Sequence, residues 1–230
     1  MKRFAGYVLA VLVLSGVAYA VYVFVPRVPT LNTGSAPEAA GTEVTVQEKV
    51  ITESTDTYKI DAHYPQSGIP ALDGKVQAVI ENALSEFRSY PANPRDSSAP
   101  QNELVSSYSS VYIGQDIASV ALSISEYTGG AHGNTVIIGV NVDRTTGNEL
   151  ALDDALVLIG KTLPQVADAS LVQLKATLGE DLMFPEGASA TAENYSTFLV
   201  SQDRVTFVFN NYQVAPYSAG QQHVWFKRVK

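Results

Sequence analysis

Three histidines, His63, His132 and His223, stand in a chain of 230 residues that has no cysteine. Thiol catalysis, disulfides and cysteine-based metal sites are therefore excluded. His132 sits in the most distinctive local run, Tyr127-Thr128-Gly129-Gly130-Ala131-His132-Gly133-Asn134, between two segments of strand character. Glycines so closely spaced let the backbone take positive φ or approach another group closely. A histidine presented there can bind a ligand, donate a hydrogen bond or shuttle a proton. The competing reading is a tight connection whose histidine bonds its own loop. Tyr127, Gly129, Gly130, His132 and Asn134 are the candidate ligand-binding residues of this run. It is not a phosphate loop, because neither glycine spacing of the nucleotide-binding motifs fits.

The other chemistry is sparser. His63 shares a polar strand face with Lys59 and Asp61, and His223 opens the last strand beside Gln221 and Gln222. The first reads as a solvated face and the second as a sheet-edge position. No HExxH or His-x-His spacing occurs, so a zinc site would need all three histidines to converge, and no metal or cofactor is expected. There is no GxSxG elbow for a serine nucleophile. Asp153-Asp154 is explained as the cap and first turn of a helix. Asn194-Tyr195-Ser196 matches a glycosylation acceptor, a motif too common to carry weight. Tyr108, Tyr112, Tyr127, Tyr195, Tyr212 and Tyr217 lie on or near strands, where their rings line either the core rim or a saccharide- or protein-binding surface.

These residues need a frame. Lys2 and Arg3 precede an uncharged apolar run from Phe4 to Val25, 22 residues long. As a helix it reaches roughly 33 Å, enough for a bilayer core, with the cations on the cytoplasmic side. Ala18-Tyr19-Ala20 offers a cleavage site, but apolar residues continue past it, so an uncleaved anchor is the favoured reading. The expected location is the cell membrane, single-pass with the domain outside, or secreted or periplasmic if the chain is cut after Ala20. All 23 acidic residues follow Val25, and the whole chain carries a formal charge of −8. Such a surface disfavours nucleic acid and suits a basic partner.

Residues 26–41 read as a Pro-, Ser- and Ala-rich linker. Strand patterns follow, with Val44, Val46 and Val50-Ile51 in a first strand. Tyr58–Tyr64, Val120–Ile124 and Val136–Val142 then alternate with period two. Asp73 is read as the N-cap of a helix carrying Val76, Ile80, Leu84 and Phe87, and Asp153 as the cap of a shorter helix ending at Gly160. A longer helix runs from Pro164 to Gly179. Ser196–Val200 and Val205–Phe209 form a hairpin, and Val224–Phe226 a last strand. The expected fold class is α+β: a mainly antiparallel sheet with helices packed on it, in two sub-domains of similar strand-helix-strand order, residues 42–134 and 135–230.

With the Tyr127–Asn134 run and the segment Tyr212-Gln213-Val214-Ala215-Pro216-Tyr217-Ser218-Ala219-Gly220 in view, a family likeness emerges. The chain from about Thr42 to Val229 resembles the extracytoplasmic region shared by RsiV-type anti-sigma factors and PdaC-type peptidoglycan deacetylases. Tyr58–Gly68 resembles that family's opening strand and turn, and Val140–Gly147 followed by Leu150–Leu156 also fits. The resemblance implies an α+β fold in the cell envelope. In RsiV-type proteins this region senses lysozyme, a basic protein. Only Met1-Lys2-Arg3 precede the apolar run, and no deacetylase motifs follow, so neither the sigma-binding nor the deacetylase activity is expected. The expectation is a binding domain for a cell-wall glycan or for a basic extracytoplasmic protein such as lysozyme. It adds Tyr212 and Tyr217 to the candidate surface. The alternative is a small envelope glycan hydrolase with His132 as base.

Overall fold

The computed structural model of the chain describes residues 45–93 and 100–229. The apolar run Phe4–Val25 and the linker lie outside them. Among the described residues no single helix is long and apolar enough to cross a membrane.

The first sheet has five strands in the order β1 (Gln47–Ser54), β2 (Tyr58–Gln66), β3 (Asn102–Ile113), β4 (Ile117–Tyr127) and β5 (Asn134–Asp143). Every pairing is antiparallel except β2 with β3, which are joined through helix α1 (Pro70–Ser89). Two parallel neighbours need such a crossover. Leu72, Val76, Ile80, Leu84 and Phe87 recur every three or four residues and form the buried stripe of α1. They pack on Ile60, Ala62, Leu104, Val120, Leu122 and Val140 from one face of the sheet.

Helix α1 begins at Pro70, not after Asp73. Ile69 occupies the cap position, and proline at the first helical position needs no partner for its missing N–H. Asp73 reaches back instead. Its carboxylate accepts from the Ser67 amide and hydroxyl at 2.7 and 2.8 Å and from the Gly68 amide at 2.9 Å. A similar correction applies to α2 (Leu152–Ile159). Ala151 is its cap residue, and Asp154 rather than Asp153 accepts from the Ala151 amide at 2.7 Å. The helix ends, as expected, at Gly160.

Helices α2 and α3 (Leu163–Leu178) cover a second sheet of β6 (Phe198–Val200), β7 (Arg204–Phe209) and β8 (Gln222–Lys227). Its core holds Val166, Leu174, Val205, Phe207, Phe209 and Phe226. Tyr195 is fully buried there, edge-on to Phe207 and Phe209, and donates to the Ala188 carbonyl at 2.8 Å. It is a core tyrosine, not a surface one. The α+β class holds: the described residues form three α-helices and eight strands in two mainly antiparallel sheets. The first sheet runs through β5, so its last strand lies beyond residue 134, and the second core opens on helices.

The two halves share β4 and β5. Residues 117–122 of β4 are buried on both faces, so the side that turns away from α1 must also be covered. Strand β6 covers it through a polar knot. Ser119 Oγ donates to Asn141 Oδ1 at 2.7 Å, and Asn141 Nδ2 donates to the Phe198 carbonyl at 2.8 Å. The Val200 amide approaches both Ser119 Oγ and Asn141 Oδ1 at 3.2 Å. Gly139 permits the contact, because a Cβ there would lie 2.0 Å from the Phe198 carbonyl oxygen.

The outer edge of β5 is closed differently. An antiparallel edge strand turns the amide and carbonyl of alternate residues outward. Here those groups meet side chains. The Ile137 amide donates to Asn210 Oδ1 at 2.7 Å, and Asn210 Nδ2 returns a bond to the Ile137 carbonyl at 3.2 Å. The Thr135 carbonyl accepts from Asn211 Nδ2 and Gln221 Nε2, each at 3.2 Å. The Gly133 carbonyl accepts from the Tyr217 hydroxyl at 3.0 Å.

At the opposite edge His63 on β2 lies 3.1 Å from Glu48 on β1 and 3.0 Å from Asp61. Partial burial disfavours its charged form, but the two carboxylates outweigh this and raise its pKa above the ordinary value.

Two expectations follow from these contacts. Asn141→Ala strands buried groups of Ser119, Phe198 and Val200, and urea unfolding should report a loss of about 2 to 3 kcal/mol. A folded-state pKa above the unfolded one gives His63 a stabilising contribution that is complete below the unfolded pKa and lost as pH rises through the folded value. The stability advantage of the wild-type chain over His63→Gln should therefore be complete well below the ordinary histidine pKa of about 6.5 and shrink as pH rises through and above it in parallel urea titrations.

Candidate functional site

The candidate loop joins β4 to β5 and is shaped by its glycines. Gly129 and Gly130 take φ of +108° and +90°, values a side chain rarely allows. The Tyr127 hydroxyl bonds within this loop, donating to the Gly130 carbonyl at 3.2 Å. The turn places His132 on the surface, where Nδ1 lies 2.8 Å from the Gly133 carbonyl. A carbonyl only accepts, so Nδ1 carries the proton and Nε2 of the neutral ring offers its lone pair. The reading in which His132 bonds its own loop is thus correct for one nitrogen. The other nitrogen faces out of the loop.

That second nitrogen meets the tail segment. The Tyr212 hydroxyl lies 3.4 Å from His132 Nε2, a long contact with the phenol as donor. The Tyr217 ring stacks on the imidazole with centroids 4.0 Å apart and planes 24° apart. Tyr212 leans on Tyr217 at 5.6 Å. Three aromatic rings from two distant stretches of sequence therefore form one surface platform, with Tyr212 53% exposed. The ring nitrogens of His132 meet a carbonyl and a phenol, not a carboxylate, among the described residues.

Tyr212 is held in a costly conformation. It is the third residue of a turn closed by the Gln213 amide on the Asn210 carbonyl at 3.0 Å, and its φ is +65°. A position of this kind suits glycine or asparagine, and a tyrosine there costs about 1 kcal/mol. Among the described residues it is the one non-glycine with positive φ. Asn210 and Asn211 of the same turn hold the β5 edge, so the clamp fixes the turn and the turn presents the ring.

Asn134 goes elsewhere. It lines an open groove of about 370 Å³ between α1 and the end of the first sheet, with Asn82, Glu86 and Glu126. Glu86, Asn82 and Glu126 were not singled out in the sequence. A signal for them exists, since Glu126 falls where the alternation Val120, Leu122, Ile124 calls for one more apolar residue. His63 and His223 lie away from the platform, one on β2 and the other on the exposed face of β8. Asn194 uses its side-chain amide on Glu186 and Ser189, as a local brace. No group of three or more histidine or carboxylate side chains fit to hold a metal occurs among the described residues.

Two family models match separate parts of the chain. Residues 51–135 match the family model described as deacetylase PdaC, and residues 159–228 match DUF3298, a protein family of unknown function. The peptidoglycan-N-acetylmuramic acid deacetylase PdaC of Bacillus subtilis is 24% identical over 176 residues, which is 75% of this chain and 38% of that protein. The chain thus spans less than half the length of that relative. The immunogenic protein MPT64 of Mycobacterium tuberculosis is 25% identical over 195 residues, 83% of either chain. Two crystal structures share the fold. A DUF3298 family protein from Pseudomonas aeruginosa aligns with a TM-score of 0.54 at 19% identity, over 81% of this chain and 90% of its own. One from Bacteroides fragilis aligns with a TM-score of 0.50 at 18% identity, over 80% and 90%.

Proposed function

We propose, for a chain that carries a PdaC-like region followed by a DUF3298 region and so belongs with domains of the cell envelope, that it binds cell-wall glycan through the platform of His132, Tyr212 and Tyr217. The observation that carries this reading is the half-exposed tyrosine kept at positive φ against its neighbours. Strain of that kind persists where the surrounding structure imposes it, and it clusters at ligand sites. Flat exposed rings offer their faces to the C–H surface of a sugar, while the Tyr212 hydroxyl and His132 Nε2 supply polar contacts beside them. The B. subtilis relative is named for an activity on peptidoglycan, which supports a glycan as ligand. Tethering by the apolar run Phe4–Val25 would hold this surface next to the wall.

A second reading, capture of a basic extracytoplasmic protein such as lysozyme, is favoured by the formal charge of −8. It differs in its salt dependence, because long-range attraction between charged surfaces is screened as ionic strength rises. The hydrolase alternative assigns His132 the role of base and requires turnover.

Sedimentation of the full-length chain with purified sacculi, and calorimetry with muropeptides, test the first reading. The wild-type chain should bind, and Tyr212→Asn should weaken binding about tenfold, the loss of one stacking partner and its hydroxyl. The thermal midpoint of Tyr212→Asn should stay level or rise, because asparagine tolerates the left-handed turn. A wild-type chain that binds neither sacculi nor muropeptides contradicts the proposal. Binding to lysozyme alone, lost with added salt, moves the assignment to the second reading. Release of product from a glycan panel, abolished in His132→Ala, moves it to the third.

A further inference from the structure

The groove beside the platform has a chemistry of its own. Helix α1 and the sheet diverge at the β4–β5 end, and Val79, Ala83, Ile124, Val136 and Ile138 form an aliphatic floor there. Its volume of about 370 Å³ falls in the range of small-ligand sites. Asn82 and Glu86 are one helical turn apart on α1, and Glu126 pairs directly with Asn134 across β4 and β5. Polar groups thus stand over the floor from three separate elements.

Among the described residues the two carboxylates are short of partners. Among the described residues Glu86 accepts a bond from the Tyr90 hydroxyl at 3.2 Å, and neither Glu86 nor Glu126 forms an ion pair. Burial, and after it the charge of Glu86, raises the pKa of Glu126. Two like charges facing each other over an apolar surface are relieved by a cation between them.

We propose that this groove receives a lysine or arginine side chain from a basic polypeptide partner, its methylene stem on the aliphatic floor and its cationic head between Glu86 and Glu126. Long cationic side chains bury their stems in this way while the head stays polar. A sugar amine fits less well, because five aliphatic side chains would strip water from its ring hydroxyls without replacing the bonds. The amides of Asn82 and Asn134 flank the head as hydrogen-bond partners. This assignment stands whether or not the aromatic platform binds glycan.

Methyl NMR of the full-length chain in non-ionic detergent reads the groove directly. Nα-acetyl-lysine amide should shift the methyl signals of Val79, Ile124, Val136 and Ile138. The Nε-acetylated form of the same probe, which lacks the charge, should leave them in place. Glu126→Gln should weaken the titration roughly tenfold, and Glu86→Gln should do so separately, while a distant Glu180→Gln should not. Methyl spectra of each variant report folding, and either glutamate variant suffices if the other misfolds. No shift with the lysine probe, or equal shifts with its acetylated form, overturns the proposal. Stronger shifts with glucosamine than with the lysine probe overturn the polypeptide assignment in favour of an amino sugar.

Discussion

Backbone amides and carbonyls on the outer edge of a sheet must find partners, and the edge of β5 finds them in side chains. Asn210 bonds both the amide and the carbonyl of Ile137, as a neighbouring strand would. Asn211 and Gln221 take the Thr135 carbonyl, and Tyr217 takes that of Gly133. An open edge invites pairing with another chain. Closing it with side chains from the second half removes that hazard and ties the two cores together at the same time.

The aromatic platform is a by-product of this closure. Tyr217 belongs to the clamp through its hydroxyl and to the platform through its ring, which lies on His132. Tyr212 sits between Asn211 and Gln213 in the turn that the clamp immobilises, and that immobilisation sustains its left-handed backbone. His132 is oriented from the other side, by a glycine-shaped loop whose Gly133 carbonyl accepts from both the imidazole and the Tyr217 hydroxyl. Neither half could assemble the three rings by itself. The Ser119–Asn141 knot on the inner face keeps β6 in register with this arrangement.

Much of the frame was legible in the sequence, because it rests on period and punctuation. Strands β2, β4 and β5 carry apolar residues at every second position on the face toward α1, and α3 has Pro164 in its first turn and Gly179 as its C-terminal stop. The starts of α1 and α2 were misplaced because Asp73 and Asp153 have the residue type of a cap, whereas Asp73 in α1 and Asp154 in α2 bond backward to the preceding chain. For the site, the His132 loop and the Tyr212–Tyr217 segment were both visible as unusual local sequence. Their meeting was not, since Asn210, Asn211 and Gln221 belong to no motif and show their purpose only beside β5. The left-handed tyrosine was equally hidden, because turn chemistry there calls for glycine or asparagine. The groove needed α1 docked on the sheet before Glu86 and Glu126 could face each other.

The aromatic platform proposed as a binding surface is made from the joint between the two halves, so it should be only as ordered as the joint. Amide hydrogen exchange at Ile137 tests that dependence most directly, since its N–H donates to the Asn210 side chain. It should be protected to the level of the β4–β5 ladder, and Asn210→Ala should release Ile137 together with the ring-stacking shifts of His132 and Tyr217. An Ile137 amide that exchanges at the rate of an exposed loop, or a platform that persists unchanged in Asn210→Ala, would contradict the account.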